Sequence, residues 1–257
     1  MQWKGSVVAI TGASRGIGRA LAVAAAAKGA RLGLIARSKE ELDDTLAAAG
    51  SHGVVAEADV GERAQIDEAL GSIARALGPI DILVNNAGIG SYGRVSDNDV
   101  ELFERVMRVN YLGSLYAIKA VLPTMLERGH GHIVNVSSIA GRIGAPFEGA
   151  YSASKFALDG LSETLGFELA GKGIGVSVIY PGPVATDFFE ARGTPFQRKR
   201  PKPVSAEVVA GTIIAAVENG RSETLIPRWL RFPVLIKAMI PRAFRKGTLR
   251  DFRRELR

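Results

Sequence analysis

The sequence predicts a single α/β domain in which helices cover both faces of a parallel sheet. Short apolar runs alternate with helical patterns of about 10–15 residues, as in folds built from strand–helix–strand units. A glycine-rich turn joins the first apolar run to the first helical pattern, and polar residues follow the ends of several predicted strands. The 257 residues, 47% of them hydrophobic and 23% charged, suffice for a sizeable core.

The glycine-rich turn follows a short buried strand predicted at residues 7–10. Gly12, Gly16 and Gly18 have the spacing G-x-x-x-G-x-G, and a helix is predicted from about residue 17 to 28. Glycines allow a tight turn and close approach of a ligand, while a helix N-terminus offers free N–H groups to an anion. The setting predicts a nucleotide pyrophosphate site, with a purely structural turn as the alternative.

The end of the second predicted strand, residues 31–36, bears on the choice of nucleotide. An acidic residue at this position accepts ribose hydroxyls and selects NAD, whereas a basic residue suits the 2′-phosphate of NADP. Arg37 stands here, and Arg15 within the glycine turn can reach the same phosphate. NADP(H) is therefore predicted over NAD(H); the alternative is two solvated arginines.

The remaining elements continue the alternation. Ser38 and Glu41 form a plausible capping box for a helix to about residue 49. Further strands are predicted at residues 54–58, 80–84 and 133–136, and helices at 62–76, 96–107 (continuing after Asn110 to about 125) and 151–169. Ligands of such sheets bind outside the carboxyl ends of the strands, where Asn86 and Ser138 fall.

A tyrosine and a lysine begin the helix that follows the fifth strand. Tyr151 and Lys155 are four residues apart and therefore share one helical face. The pKa of a tyrosine is about 10, and a nearby ammonium lowers it toward a range useful for acid–base catalysis. On its own such a pair is common and is more typical of an exposed helix face than of an active site.

Together these motifs resemble the short-chain dehydrogenase/reductase family. The resemblance is close over residues 6–186 and looser to about 226, and it implies a seven-stranded Rossmann sheet with later strands near 175–180 and 223–226. The motifs that carry it, in chain order, are Thr11-Gly12-x-x-x-Gly16-x-Gly18, Asn85-Asn86-Ala87-Gly88, Asn110, Ser138, Tyr151-x-x-x-Lys155 and Pro181-Gly182.

The resemblance implies roles for individual residues. Tyr151 would exchange a proton with the substrate, and Lys155 would lower the pKa of that tyrosine and hold the nicotinamide ribose. Ser138 would hydrogen-bond the substrate oxygen, and Asn110 would anchor a water that relays protons from Lys155. The implied cofactor contacts are Gly12, Ser14, Arg15, Ile17 and Gly18 near the phosphates, Asp59 and Val60 at the adenine, Asn86, Ala87 and Gly88 along the groove, and Pro181, Gly182, Val184 and Thr186 around the nicotinamide.

A substrate lid is expected over about residues 184–204. It contains Phe188, Phe189 and Phe196, followed by the basic run 198–202. Aromatic residues in a lid suit an apolar carbonyl or alcohol, such as a steroid-like, lipid-like or long-chain compound. The alternative is that these rings only pack the lid onto the domain.

Residues 227–257 form a basic extension beyond the domain of residues 1–226. Apolar residues from Phe232 to Phe244 recur at helical spacing, with Pro233 able to start one helix and Pro241 to interrupt or start another. From Arg221 onward 11 Lys or Arg stand against 3 Asp or Glu, although the net charge of the whole chain is only +7. Three interpretations are open: an anionic membrane surface, a cover over the substrate mouth, or a subunit contact.

Composition excludes several other classes of protein. The chain has no cysteine, so it has no disulfide and no thiolate metal site. His130 and His132 flank Gly131 and are predicted to lie in a surface loop, and we therefore expect no metal site. No signal peptide and no apolar run of roughly 18 residues is apparent, so a cytoplasmic protein is expected, with peripheral membrane association as the alternative. Nucleic-acid binding is not expected.

The leading prediction is an NADPH-dependent reductase, or reversible dehydrogenase, of a hydrophobic carbonyl or alcohol. One alternative is reduction of 3-oxoacyl groups on acyl carrier protein, in which a basic patch would receive an acidic partner. Another is a non-catalytic NADP(H)-binding sensor or scaffold, against which the intact Ser138, Tyr151 and Lys155 argue. The family resemblance also implies a homodimer or homotetramer that assembles through helices near residues 99–125 and 151–169.

Overall fold

A computed structural model describes residues 1–50, 52–195, 201–253 and 255–256. Phe196 and most of the basic run after it lie outside the described residues. All seven strands are parallel and follow the order β3-β2-β1-β4-β5-β6-β7, which confirms the predicted fold class. The strands are β1 (Val7–Thr11), β2 (Arg31–Ala36), β3 (Gly53–Glu57), β4 (Ile82–Asn85), β5 (Gly131–Val136), β6 (Ile174–Pro181) and β7 (Glu223–Ile226).

Helices connect the strands and cover both faces of the sheet. They are α1 (Gly16–Ala27), α2 (Lys39–Ala49), α3 (Arg63–Leu77), α4 (Val100–Met107), α5 (Gly113–Arg128), α6 (Gly149–Glu168), α7 (Phe188–Ala191), α8 (Ala206–Glu218), α9 (Arg231–Met239) and α10 (Pro241–Asp251). The predicted cap of α2 is present, because the Ser38 hydroxyl accepts a hydrogen bond from the Glu41 N–H at 3.3 Å.

Two hydrophobic cores fill the space between the sheet and its helices. One core joins β1 and β2 to α1, α2 and α8, and includes Leu21, Leu42 and Ile213. The other joins the opposite face to α3, α5 and α6, and includes Ile66 and Val121. The inner strands β1, β2, β4 and β5 are almost entirely buried, as is usual for parallel sheets, whereas the edge strands β3 and β7 are half-buried.

The strand order places a crevice at the carboxyl ends of β1 and β4. The chain builds the sheet outward from β1 to β3, then returns to the other side of β1 and continues from β4 to β7. Helices on the two sides of this reversal leave the sheet in opposite directions, which opens a gap between the loops that follow β1 and β4. The glycine turn and Asn86 lie at this gap.

Two sequence predictions about local structure are wrong. His132 lies in β5 instead of a surface loop; its ring is 4% exposed and hydrogen-bonds the Ser177 hydroxyl at 2.9 Å. Burial lowers the pKa of His132 to about 4. The ring fits because Gly175 leaves the space for it, since a Cβ there would lie 2.4 Å from its Nδ1.

The helix predicted from residue 96 begins at Val100 instead. The Asp99 carboxylate accepts a hydrogen bond from the Leu102 N–H at 2.9 Å and so provides the N-cap of α4. Between α4 and α5 the residues Arg108–Leu112 form a π-helical turn, a feature that often marks functional sites.

The extension after β7 forms two helices. Pro241 occupies the first turn of α10 and separates it from α9, so the apolar spacing noted in the sequence runs across a break. Within the part of the chain that the structure describes, no helix is both long enough and apolar enough to span a bilayer.

Candidate active site

The glycine turn between β1 and α1 leaves space that side chains would fill. Gly12 has φ +64°, and a Cβ there would lie 2.8 Å from the Cα of Ala87. A Cβ at Gly18 would lie 2.2 Å from the Gly12 carbonyl oxygen. Arg15 precedes α1 without capping it through its side chain, so the first N–H groups of the helix are open to an anion. The turn therefore fits a dinucleotide phosphate.

Thr11 and Asn86 hold the turn against the end of β4. The Thr11 hydroxyl accepts hydrogen bonds from the N–H groups of Asn86 and Ala87 at 3.0 and 3.1 Å. The Asn86 amide donates in return to the carbonyl oxygens of Thr11 and Gly12, at 3.0 and 3.1 Å. These four bonds join the two loops that border the crevice.

One cleft of about 960 Å³ runs along the carboxyl edge of the sheet. Of the positions that the family resemblance assigned to the cofactor, all but Gly18 line this cleft. Ser138, Tyr151 and Lys155 line it as well, whereas Asn110 does not. The size suits a dinucleotide together with a small substrate.

Two basic and two acidic residues line the end of the cleft next to β1, β2 and β3. Arg15 and Arg37 are both exposed at this end. Glu41, on the first turn of α2, also lines it, and the sequence analysis gave that residue a capping role only. Asp59 accepts a hydrogen bond from the Gly61 N–H at 2.8 Å, which orients its carboxylate.

Tyr151 and Ser138 both line the cleft, and their side chains are hydrogen-bonded to each other. Tyr151 is on the first turn of α6, and its N–H donates to the Ser91 hydroxyl at 3.2 Å. Ser138 follows β5 in extended conformation, and its hydroxyl accepts from the Ala140 N–H at 3.1 Å. The ring of Phe188 packs on that of Tyr151 at a centroid distance of 5.4 Å.

The pKa of Tyr151 is raised, whereas the sequence analysis expected it to be lowered. Burial is the largest cause, because it removes the water that would stabilise a phenolate. A hydrogen bond with Ser138 and the charge of Arg192 oppose the rise. The Lys155 ammonium lies over the Tyr151 ring, 5.8 Å from its centroid, and donates a hydrogen bond to the Val136 carbonyl oxygen at 2.9 Å.

Lys155 is itself strongly perturbed. Its side chain is buried, and burial lowers its pKa to about 8. The negative charge of Asp159, one turn further along α6, acts in the opposite direction. Lys155 is therefore a lysine that titrates close to neutral pH, which is a common property of catalytic groups.

Asn110 lies in the π-helical turn and is fully buried. Its amide donates to the Ile89 carbonyl oxygen and to the Ser154 hydroxyl, both at 2.9 Å, and its oxygen accepts from the Ile89 N–H at 2.8 Å. These bonds tie the π-helical turn to the loop after β4 and to α6. Its proximity to Lys155 is seen at Gly88, where a Cβ would lie 3.2 Å from the Asn110 oxygen and 3.6 Å from the Lys155 nitrogen.

The lid helix α7 is held by a buried ion pair that the sequence analysis missed. Arg192 and Glu148 approach to 2.6 Å, and their side chains are only 5% and 20% exposed. The Arg192 guanidinium also stacks on the rings of Tyr92 and Phe189, at 4.9 and 4.7 Å from their centroids. No local sequence signal links Arg192 to Glu148, because 44 residues separate them.

The C-terminal extension completes one wall of the cleft. Thr248, Asp251 and Phe252 line it from α10 and the turn that follows. The Tyr92 hydroxyl donates to the Glu255 carboxylate at 2.8 Å, and Phe252 packs 6.3 Å from the ring of Phe147. Among the three interpretations of the extension, these contacts support a position beside the mouth of the cleft.

Comparison with known proteins places this site in a family. Residues 6–195 match the family model described as short chain dehydrogenase. The chain belongs to the short-chain dehydrogenase/reductase family and is an oxidoreductase.

Individual relatives are between 34% and 40% identical to this chain over the residues that align. "2-(S)-hydroxypropyl-CoM dehydrogenase 3" of Xanthobacter autotrophicus is 40% identical over 186 residues, which are 71% of this chain and 73% of that protein. "Dehydrogenase/reductase SDR family member 7B" of Mus musculus is 34% identical over 256 residues, 94% of this chain and 79% of that protein. "Glycine betaine reductase ATRR" of Emericella nidulans is 40% identical over 186 residues, yet only 15% of that protein is covered.

Solved structures of the family superpose closely on this chain. A short chain dehydrogenase/reductase from Burkholderia phymatum, in complex with NAD, has a TM-score of 0.85 at 29% identity and covers 93% of this chain and 94% of its own. A short chain dehydrogenase from Burkholderia cenocepacia, in complex with NADP, has a TM-score of 0.84 at 30% identity, with coverage of 97% and 99%. Nicotinamide dinucleotides of both kinds thus occur among the structural relatives.

Proposed function

We propose that this protein is an NADP(H)-dependent oxidoreductase that interconverts an apolar ketone or aldehyde and the corresponding alcohol. The observation that carries the proposal is the meeting of Ser138, Tyr151 and Lys155 in one cleft with the glycine turn. The acid–base groups and the anion-binding turn line the same cleft, as a dinucleotide with a reactive nicotinamide requires.

The residues of this chain transfer the proton and stabilise the charges that develop. The bound nicotinamide supplies hydride to the carbonyl carbon in reduction and accepts it in alcohol oxidation. Tyr151 donates its hydroxyl proton to the substrate oxygen during reduction, and its raised pKa keeps that proton in place at neutral pH. The Ser138 hydroxyl stabilises the negative charge that develops on the same oxygen. The Lys155 ammonium then favours the tyrosinate, and Asn110 keeps the proton path beside it in position.

The lining of the substrate end supports an apolar substrate. Phe188 and Phe189 pack edge to face at 5.7 Å, and Phe188 in turn contacts the ring of Tyr151. Other apolar residues that line the cleft are Ile139, Ile143, Leu230, Pro233 and Phe252. A carbonyl group attached to a long or polycyclic apolar body would bury its surface against these side chains while its oxygen meets Ser138 and Tyr151.

The exposed arginines at the adenosine end support NADP(H). Replacing Arg37 with Ala should weaken NADPH binding about tenfold or more and leave NADH binding nearly unchanged, because the 2′-phosphate loses a charge-assisted contact. Lys39→Ala is the matched control, since Lys39 is an exposed cation two residues further on that pairs with Asp43 at 2.7 Å. Equal loss for both cofactors, or tighter NADH than NADPH binding in the native protein, would contradict the preference.

Turnover is tested with the native protein and Tyr151→Phe. Oxidation of NADPH is followed against apolar ketones, aldehydes and 3-oxoacyl thioesters. We expect turnover to fall by at least about a hundredfold in the variant, since it loses its proton donor, while the Kd for NADPH stays within about twofold. Native-like turnover in the variant would refute the mechanism. Tight NADPH binding with no turnover on any substrate would instead favour the sensor role.

We also propose a homodimer or homotetramer that uses the surfaces of α4 and α6. Phe167 on α6 is 74% exposed and Val100 on α4 is 68% exposed, and large apolar residues at such exposure are typical of subunit contacts. Light scattering should show an assembled native protein, and Phe167→Glu should shift it toward the monomer. A native monomer at assay concentration would rule this out.

A further inference from the structure

Helix α9 exposes the apolar residues that its amphipathic pattern would ordinarily bury. We call Phe232, Leu235, Ile236, Met239 and Ile240 the α9 stripe. Their exposed fractions range from 45% for Ile236 to 78% for Met239. The helical spacing places the first four on one face of α9, and Ile240 follows directly after the end of the helix.

The side of α9 that carries Lys237 faces the domain. The Lys237 ammonium donates to the Arg142 carbonyl oxygen at 2.7 Å and lies 4.8 Å above the ring of Phe156. Pro233 and Val234 are the other half-buried residues on the inner side. The helix is thus held to the domain through a lysine, and its apolar stripe faces outward. This is the orientation expected for contact with another apolar phase.

Exposed cations precede and follow the stripe in the chain. Arg228, Arg231, Arg242, Arg245 and Lys246 are all exposed. Among the described residues, none of the five has a carboxylate within salt-bridge distance. From residue 227 to 257 the sequence contains ten Lys or Arg and two Asp or Glu. An apolar strip flanked by cations is complementary to a bilayer surface with acidic lipids.

The stripe adjoins the mouth of the catalytic cleft. Trp229, just before α9, is 47% exposed and also lines the cleft, as does Pro233 within the helix. Tryptophan is enriched at the membrane–water interface because its ring is amphipathic. A membrane bound to the stripe would therefore lie next to the opening through which an apolar substrate enters.

The geometry points to the α9 stripe and its cations as a docking surface for an anionic lipid bilayer, with the cleft mouth held beside the membrane. A second copy of this chain fits less well, because a two-fold contact through this patch would set the cations of one copy against those of the other. Delivery of the substrate from the bilayer rests on the proposed function. Binding of the stripe to the bilayer is independent of it.

Vesicle sedimentation with the full-length protein tests the docking surface. Vesicles of phosphatidylcholine, with and without phosphatidylglycerol, are compared at low and high salt. We expect binding to the anionic vesicles that weakens as salt rises. Met239→Glu/Ile240→Glu should lower the partition coefficient by at least about tenfold, because two inserted apolar side chains become charged. Val208→Glu, at an exposed apolar residue on α8, should bind like the native protein.

Two results would overturn this inference. One is no binding of the native protein to anionic vesicles. The other is equal loss of binding in the double variant and in Val208→Glu. Light scattering tests the rival occupant, a second copy of this chain. If the native protein forms an assembly but does not bind vesicles, and the double variant is dissociated, the stripe is a contact between two copies. Cofactor binding and turnover of a water-soluble ketone are measured in parallel, so that failure of the proposed function is recognised separately.

Discussion

At the residue scale, the charge of Lys155 depends on burial and on one carboxylate. Burial lowers the pKa of Lys155 to about 8, and the negative charge of Asp159 limits that decrease. Asp159 is held by the Arg142 guanidinium at 3.0 Å, although burial raises its own pKa to about 6. Between these two pKa values Asp159 is ionised and Lys155 is protonated, which is the state that the proposed mechanism requires.

The pH dependence of carbonyl reduction follows from this arrangement. Activity should fall as pH rises through about 8, because Lys155 then loses its proton and with it the positive charge beside Tyr151. Asp159→Asn should move this falling limb about one pH unit lower, since the carboxylate that favours the ammonium is gone. The measurement is kcat/KM for NADPH-dependent reduction against pH.

An exposed carboxylate on the same helix provides the control. Glu163→Gln removes a negative charge one turn beyond Asp159, at an exposed position, and should leave the limb where it is. If Asp159→Asn lowered activity equally at every pH without moving the limb, Asp159 would have a structural role only.

At the element scale, the β1–α1 turn depends on the absence of side chains at its glycines. Gly18→Ala would bring a Cβ to 2.2 Å from the Gly12 carbonyl oxygen, so the helix start must shift away from the turn. We expect NADPH affinity to fall by at least about tenfold, because the N–H groups that would hold the phosphates are displaced. Fluorescence titration with NADPH measures the effect.

Gly160, on α6, is the matched control for this substitution. A Cβ at Gly160 meets no atom within 4 Å, and its φ is not positive. Gly160→Ala should therefore leave NADPH affinity unchanged and raise the free energy of unfolding by about 0.5–1 kcal/mol, since alanine is the better helix former. Comparable losses of affinity in both variants would show that general destabilisation is the cause.

At the scale of the whole molecule, the cleft is closed by contacts between distant parts of the chain. The Arg192–Glu148 ion pair joins the lid to the start of α6. Tyr92 and Arg94 donate hydrogen bonds to Glu255 in the C-terminal extension. The lid aromatics are held over Tyr151 by these contacts, not by the local stability of α7, which has only four residues.

Breaking the lid contact should affect substrate more than cofactor. Arg192→Met removes the ion pair and both ring-stacking contacts, so Phe188 and Phe189 lose their support. We expect kcat/KM for an apolar ketone to fall about 10–100-fold, with the Kd for NADPH within about twofold. Arg105→Met, an exposed arginine on α4, should match the native enzyme. An equal fall in NADPH affinity would mean that the lid also holds the cofactor.

Local patterns were sufficient to predict much of this molecule. The alternation of strands and helices, the turn at Gly12 and the shared face of Tyr151 and Lys155 all depend on neighbours within a few residues. Parallel strands bring their carboxyl ends to one edge, which is why residues that follow different strands could be expected in one cleft before any coordinates. The parallel sheet and its helices on both faces were predicted correctly for that reason.

The sequence by itself thus determined the fold class and the candidate site, because both follow from short-range periodicity and a common sheet edge. Only the tertiary structure decided which polar groups are desolvated and how they pair. His132 is buried in a strand, burial raises the pKa of Tyr151, and Arg192 forms an ion pair with Glu148. The tertiary structure also decided that α9 turns its apolar stripe outward. Burial and pairing depend on residues far apart in the chain, and desolvation therefore cannot be read from local sequence.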